Sequence, residues 1–515
     1  MRLDEFPTKF PKLPGAMPIW HGAVDAATFR SLCEQVGHGG GKLVALWGSD
    51  ELARDAGYAL HVSLITAIGM LCLTLPVNAE RPSYPDLSDL FPGASRMQRA
   101  AFDLLGLFAD GACDHRKWMR HASWPGSVHP LRKSFDGGSA FATETDGYPF
   151  VTVTGGGVHE IAVGPVHAGT IEPGHFRFSV IGERVLRLEE RFGYTHKGIE
   201  KRFESMNLDE GAKLAGRISG DSTVAYAWAY AQAVESVTGA TPSPRALALR
   251  AVLLELERIH NHLGDLGNLG NDVGLAFGFA QFWILKEDLL RLNHDLFGHR
   301  YLMDSVVPGG VARDLDGKGC QRILEALAHL QHEVGTLKDI YDEHAGAQDR
   351  FLSAGRVSPD RAALLGLTGL AGRASSQAWD LRAQFPCAPY DQLDVRMATH
   401  HKGDVAARVT MRFEEVQESI RLIRLLLDQL PPGEPCTAVG NAPENALGIG
   451  WVEGWRGEIM VALHTGKDNR IHRLHPHDPS WQNWPVLEHA IIDNIVPDFP
   501  LINKSFNLSY TGIDL

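Results

Sequence analysis

The chain has 515 residues, 44% hydrophobic and 22% charged, enough for two or more domains around a large buried core. Its formal net charge of −13 argues against a nucleic-acid surface, which needs a basic patch. The six cysteines (Cys33, Cys72, Cys113, Cys320, Cys387 and Cys436) are widely spaced with no Cys-x-x-Cys pair, which argues against a disulfide framework or an iron–sulfur site in this chain.

Residues 1–135 read as mixed α/β. Helical periodicity covers Ala26–Val36 and Ser95–Leu107, and strand-like runs cover Leu43–Trp47, Ala59–Ile65 and Met70–Leu75. The glycine-rich loop Gly37–Lys42 resembles a phosphate loop but lacks a Ser or Thr after the lysine and leads into a strand, so a plain turn is expected. Residues 136–158, rich in Gly, Thr and Ser, read as a linker. A hairpin follows, with Phe176, Phe178 and Val180 alternating before a turn at Gly182-Glu183, and with Leu186 and Leu188 returning.

From Leu208 the chain is mostly helical. Ser243-Pro244 is a helix start, followed by an apolar helix over Ala246–Leu263 that Gly264 is expected to end. Further helices are expected at Ala280–Phe297, Gly319–Tyr341 and Val409–Leu430, the last with Arg412, Glu415, Ser419 and Arg424 on its polar side. No apolar run is long enough to span a bilayer, and the amino terminus has no apolar signal core, so a cytoplasmic location is expected.

Several motifs lie in order along the second part of the chain. They are Gly164-Pro165-Val166-His167 with Glu172-Pro173-Gly174-His175-Phe176-Arg177; His196-Lys197-Gly198-Ile199-Glu200-Lys201; Leu256-Glu257-Arg258 with Asn261-His262; Pro308-Gly309-Gly310 with Arg313-Asp314; Gly403-Asp404 with Arg408; and Glu453-Gly454-Trp455-Arg456-Gly457-Glu458. Together they resemble the large subunit of [NiFe] hydrogenases and its relative, the 49-kDa-type subunit of respiratory complex I. In the first part, Tyr84-Pro85-Asp86, Leu90-Phe91-Pro92, Arg99, Phe102-Asp103 and His129-Pro130-Leu131-Arg132-Lys133 resemble the 30-kDa-type subunit of complex I, with Gln98 and Ala100 where that family usually carries acidic residues.

A fusion in this order resembles the large subunits of group 4 hydrogenases, including formate hydrogenlyase. The resemblance implies an α+β protein: a 30-kDa-type α/β domain (1–135), the linker (136–158), and a helix-rich hydrogenase-like domain with a β-hairpin and a C-terminal β element (159–515).

The metal-ligand motifs depart from that family. Where it has R-x-C-G-x-C this chain has Arg217-Ile218-Ser219-Gly220-Asp221-Ser222, and where it has D-P-C-x-x-C this chain has Ser509 and Gly512. Hydroxyls and a glycine cannot replace four thiolates around a soft metal, so no Ni–Fe site is expected, and no cofactor is assigned to this chain. The chain also ends at this motif, and no processed C-terminal extension is expected.

Two readings of the four positions stand side by side: a relic cavity reused for another small molecule, or a collapsed core of hydrogen-bonded serines. Asp221 is either a cavity carboxylate or a helix cap. Arg456 either orients a polar ligand or pairs with Glu453 or Glu458. His167, His175 and His196 are candidate proton carriers. His472, His475 and His477 are expected in a surface loop rather than around a metal, and His260 and His262 in the core.

The resemblance further implies a component of a membrane-associated oxidoreductase complex that couples electron transfer to an ion-translocating module. The chain would attach peripherally to the cytoplasmic membrane through a small iron–sulfur subunit with a [4Fe–4S] cluster and antiporter-like membrane subunits. Within such a complex it is either a scaffold or reduces a quinone or another acceptor through the relic cavity.

Overall fold

Alternating apolar residues over 43–77 build the sheet of the first part. In the computed structural model, which describes residues 1–142, 147–168 and 171–515, β1 (Ile19–Ala23) is followed by helix α1 (Ala26–His38) and by three long strands, β2 (Lys42–Asp50), β3 (Tyr58–Thr66) and β4 (Gly69–Val77). The strand order is β1-β4-β3-β2, with β1 parallel to β4 and the other pairs antiparallel. The three expected strands are therefore present, each extended at its ends, and β1 is added at the edge.

The Gly37–Lys42 turn closes the end of α1. The amides of Gly39, Gly40 and Gly41 bond back to the carbonyls of Gln35, Gly37 and Val36. Those amides are consumed, and the loop sits at the carbonyl end of a helix, so it is no phosphate cradle. Helix α2 (Ala94–Leu105) stops at Gly106, whose φ of +79° suits glycine. Of the expected linker, 143–146 lie outside the described residues, and its other described residues before 158 form no helix or strand.

The expected hairpin is a three-stranded sheet, β5 (Val158–Val163), β6 (His175–Ile181) and β7 (Arg184–Arg191). The helical part then runs through α3 (Thr223–Thr238), α4 (Pro244–Asp272), α5 (Ala276–Phe297), α6 (Gly317–Glu343) and α7 (Val405–Asp428). Ser243, Asp316 and Asp404 cap α4, α6 and α7 through their side chains.

Gly264 does not end α4. A Cβ there would lie 2.6 Å from Lys286 Nζ, and one at Gly270 would lie 2.2 Å from the Tyr341 hydroxyl. These glycines let neighbouring helices approach closely inside one continuous helix. The polar side of α7 is turned inward. Arg412 bonds Asp265, Glu415 bonds Arg373 and His262, and Ser419 bonds Glu255, with all of these side chains buried.

The C-terminal β element is an antiparallel sheet, β8 (Leu447–Glu453), β9 (Glu458–Thr465) and β10 (Ile471–His477). The histidines expected in a surface loop therefore lie in a strand, and His475 and His477 are buried. The final segment is not a strand. Helix α8 (Ser480–Ala490) leads to α9 (Phe499–Phe506), a left-handed residue at Asn507 and the short α10 (Thr511–Asp514). Among the described residues no helix is long and apolar enough to cross a membrane.

The first part packs on the second through polar and stacked contacts. Arg96 bonds Glu190 at 3.1 Å and Glu488 at 2.7 Å. Arg473 Nε donates to the Gly48 carbonyl at 3.0 Å, and Trp47 stacks on His475 with ring centroids 5.0 Å apart.

Candidate functional site

The turn before α3, the loop joining β8 to β9, and the chain from α9 to α10 meet at one place, and they bring all four degenerate ligand positions together. Ser219 and Ser509 touch, with hydroxyl oxygens 3.1 Å apart. Ser219 donates to Asp221 Oδ1 at 2.8 Å, so the shared proton between the two serines comes from Ser509. Ser509 in turn accepts the Gly512 amide at 2.9 Å. The result is a one-way chain from Gly512 N–H through Ser509 and Ser219 to the Asp221 carboxylate.

Gly512 is packed against Asp478. A Cβ at this position would stand 2.5 Å from Asp478 Oδ2. Asp478 accepts from the Tyr226 hydroxyl at 2.8 Å and from the Ser480 amide at 2.9 Å.

Arg456 lies across the site. Its fork donates to both carboxylate oxygens of Asp221, at 2.9 Å to Oδ1 and more closely to Oδ2, and reaches Ser222 Oγ at 3.3 Å. Its Nε donates to the Asn507 carbonyl at 2.5 Å, and the guanidinium stacks over Trp455 at 4.0 Å. Burial alone would raise the Asp221 carboxyl, but the Arg456 charge and hydrogen bonds, helped by Ser219, hold it at about 2.

The expected partners of Arg456 are engaged elsewhere. Glu453 bonds Arg373 and the Leu381 amide; Glu458 accepts from Trp451 Nε1 and Thr368 Oγ1. Both face the sheet and helix core, whereas the loop turns Arg456 toward the C-terminal segment.

Asp221 does not cap α3. Its backbone carbonyl is held by Asn261 Nδ2 at 2.7 Å and Trp455 Nε1 at 2.9 Å. The cap comes from α4, where the carboxyl of Glu257 accepts the amides of Val224 at 2.6 Å and Ala225 at 3.2 Å. Burial pushes Glu257 up to about 8 despite those bonds. Sequence pattern alone does not single out Glu257 as a site residue, although it lies in the Leu256–His262 motif. Only the crossing of α4 under the start of α3 gives it this role.

The two hairpin histidines part company. His167 faces the C-terminal segment, 3.4 Å from the Tyr510 hydroxyl. His175 instead sits beside Phe150 and accepts from Arg177 Nε at 3.4 Å. Burial lowers both imidazoles. His196 contacts the Asp514 carbonyl at 2.7 Å, and Glu172, raised by burial, accepts the Thr511 amide at 3.1 Å. Asp514 takes the amides of Gly193 and Thr195 and the Thr195 hydroxyl, and burial pushes it up to about 6. His260 and His262 are buried on α4, as expected of core histidines.

This donor set does not fit a Ni–Fe centre. Three hydroxyls are committed to one another or to Arg456, the fourth position has no side chain, and a guanidinium occupies the polar space. Among the described residues no three His, Cys, Asp or Glu side chains are grouped to hold a metal ion.

Comparison with known proteins agrees with the two-part architecture. The family described as respiratory-chain NADH dehydrogenase, 30 Kd subunit, matches residues 10–140, and that described as the 49 Kd subunit matches residues 272–447. The chain is 30% identical to formate hydrogenlyase subunit 5 of Escherichia coli K12, over 92% of this chain and 85% of that one. It is 29% identical to the fused C/D polypeptide of the NADH-quinone oxidoreductase of Bacteroides thetaiotaomicron, over 82% and 84%. Among solved structures, a chain of the membrane-bound sulfane sulfur reductase, an archaeal respiratory membrane complex, shares the fold with a TM-score of 0.66 at 24% identity, covering 70% of this chain and 99% of that one. The chain belongs to the family of fused 30-kDa and 49-kDa-type subunits shared by complex I and the group 4 hydrogenases.

Proposed function

We propose that this chain is the fused large subunit of a membrane-associated oxidoreductase complex in which the hydrogen-activating centre has become a structural ion pair. The observation that carries this reading is the Arg456–Asp221 fork between the former ligand motifs, with Ser219 and Ser509 in direct contact. Residues 1–135 and 159–515 act as its two modules. The chain links a small subunit bearing a [4Fe–4S] cluster to antiporter-like membrane subunits, which also attach it peripherally to the cytoplasmic membrane. It carries no cluster or Ni–Fe centre of its own. Purification of the tagged chain from gently solubilised native membranes tests this. An iron–sulfur subunit and polytopic subunits are expected to co-purify, and a monodisperse chain free of partners overturns the reading.

A second reading draws on the protonatable groups around the same site. Glu257 at about 8 and Asp514 at about 6 lie near neutral pH, as groups that support the reduction of a quinone or another small acceptor must. Arg456, Asp221 and His167 are the side chains this reading would use at the site, with His175 a proton carrier set back from it beside Phe150. Acceptor reduction by the intact complex that falls tenfold in Arg456→Lys, with the make-up of the complex unchanged, favours it over the scaffold.

A further inference from the structure

Away from this site, one row of polar side chains crosses the whole sheet of the first part. His21 on β1 places Nε2 2.9 Å from Thr74 Oγ1 on β4. The same hydroxyl lies 2.9 Å from His61 Nδ1 on β3, its register partner. His61 Nε2 lies 2.9 Å from Ser49 Oγ on β2. Ser49 faces Glu51, whose carboxylate lies 3.0 Å from His472 Nε2 on β10 and accepts from Arg54 at 2.9 Å. The row thus follows the strand order from one edge of the sheet to the other and crosses to the second part of the chain.

The row has a direction, fixed by its last member. An ionised carboxylate only accepts, so Ser49 donates to Glu51 and must accept from His61 Nε2–H. His61 Nδ1 is then an acceptor and takes the Thr74 hydroxyl proton. Thr74 is left to accept from His21 Nε2–H. Every donor points toward Glu51. Burial would raise Glu51, but His472 and Ser49 hold it well below the usual carboxylate range, and burial keeps His61 neutral. The other charged or titratable groups facing the row are His464, tilted against the His61 ring at 5.0 Å, and Arg473.

A static polar core needs no such alignment. Ser49 and His61 are buried in the middle of the row, while His21 at its start keeps partial solvent exposure. Each of the three bridging members, Thr74, His61 and Ser49, has both a donor and an acceptor position in use, as proton hopping requires.

We propose that His21, Thr74, His61, Ser49 and Glu51 form a directional proton relay from the β1 edge to the Glu51 carboxylate. A proton taken up at His21 Nδ1 displaces the Nε2 proton to Thr74. The Thr74 proton moves to His61 Nδ1, the His61 Nε2 proton to Ser49, and the Ser49 proton to the Glu51 carboxylate, which becomes neutral while it still accepts from His472 Nε2–H. One proton enters and one arrives, both imidazoles switch tautomer, and the hydroxyls rotate to reset. The relay ends at a carboxylate bonded by His472, on the strand that leads into Asp478 at the candidate site.

The test is nitrogen-resolved NMR of the full chain labelled with ¹⁵N-histidine, reading ring tautomers and the exchange of ring N–H protons with water. His61 and His21 are expected as Nε2–H tautomers. Exchange at His61 is expected to slow tenfold or more in Thr74→Val, which keeps the shape but removes the bridge, and to recover in Thr74→Ser. Ser49→Ala interrupts the row on the other side and is expected to slow exchange equally if Thr74→Val does not fold. A His61 Nδ1–H tautomer, or exchange unchanged in the folded variant with a broken bridge, overturns the proposal.

Discussion

The guanidinium of Arg456 forks onto the carboxylate of Asp221, the residue lying between the two serines of the first degenerate motif. The Arg456 side chain is 5% exposed and the Asp221 side chain 38%, so one end of the pair is sealed and the other is partly wet. The pair supplies a fixed charge arrangement where a metal centre would need open thiolates.

Arg456→Lys keeps the charge but loses the planar fork and its stacking on Trp455. A loss of about 1.5–3 kcal/mol in stability is expected, the range for hydrogen bonds to charged groups. The partial exposure of Asp221 keeps it below the cost of breaking a fully buried pair. Chemical denaturation of Arg456→Lys, Asp221→Asn and the double variant checks it, and the two effects are expected to be less than additive.

Returning cysteine to positions 219, 222, 509 and 512 is not expected to restore nickel binding or hydrogen evolution. At Gly512 the new Cβ meets Asp478, which is itself held by Tyr226. Gly512→Ala alone is expected to cost about 1–3 kcal/mol through overpacking. Thermal unfolding reads the single variant. Elemental analysis reads the quadruple one, and about one nickel per chain would contradict the assignment.

Glu257 gives a pH signature of defined sign. Its carboxyl is raised from the ordinary value of 4.5 to about 8 by burial, so the folded chain binds this proton more tightly than the unfolded chain. Its contribution to stability is therefore greatest below pH 4.5 and declines as the pH rises through about 8. Subtracting the stability profile of Glu257→Gln from that of the parent chain is expected to leave this downward slope between pH 5 and 8. A flat difference would place the carboxyl at its ordinary pKa.

Arg96 is the charge shared between the two parts of the chain, 10% exposed and facing the fully buried side chain of Glu190 as well as Glu488. Arg96→Ala leaves buried carboxylates without their cation and is expected to cost about 3–5 kcal/mol. Arg96→Lys, reaching only one carboxylate at a time, is expected to cost less. Equilibrium denaturation with separate fluorescence and circular dichroism probes shows whether the two parts then unfold apart.

Local pattern in the sequence determined the strands within 43–77, the helix start at Ser243, and the absence of thiolates at positions 219, 222, 509 and 512, because alternation, capping chemistry and donor type are properties of residues and near neighbours. Tertiary structure decided what those residues meet. Gly264 reads as a helix stop until Lys286 is seen lying across it, and the histidines of 472–477 read as a loop until β9 pairs with them. Arg456 finds Asp221 rather than Glu453 or Glu458 because the β8–β9 loop turns it away from the sheet. Glu257 caps a helix it does not belong to, and the His21–Glu51 row exists only in the strand order β1-β4-β3-β2. Each of these depends on contacts between residues far apart in the chain, whose geometry is set by packing rather than by sequence spacing.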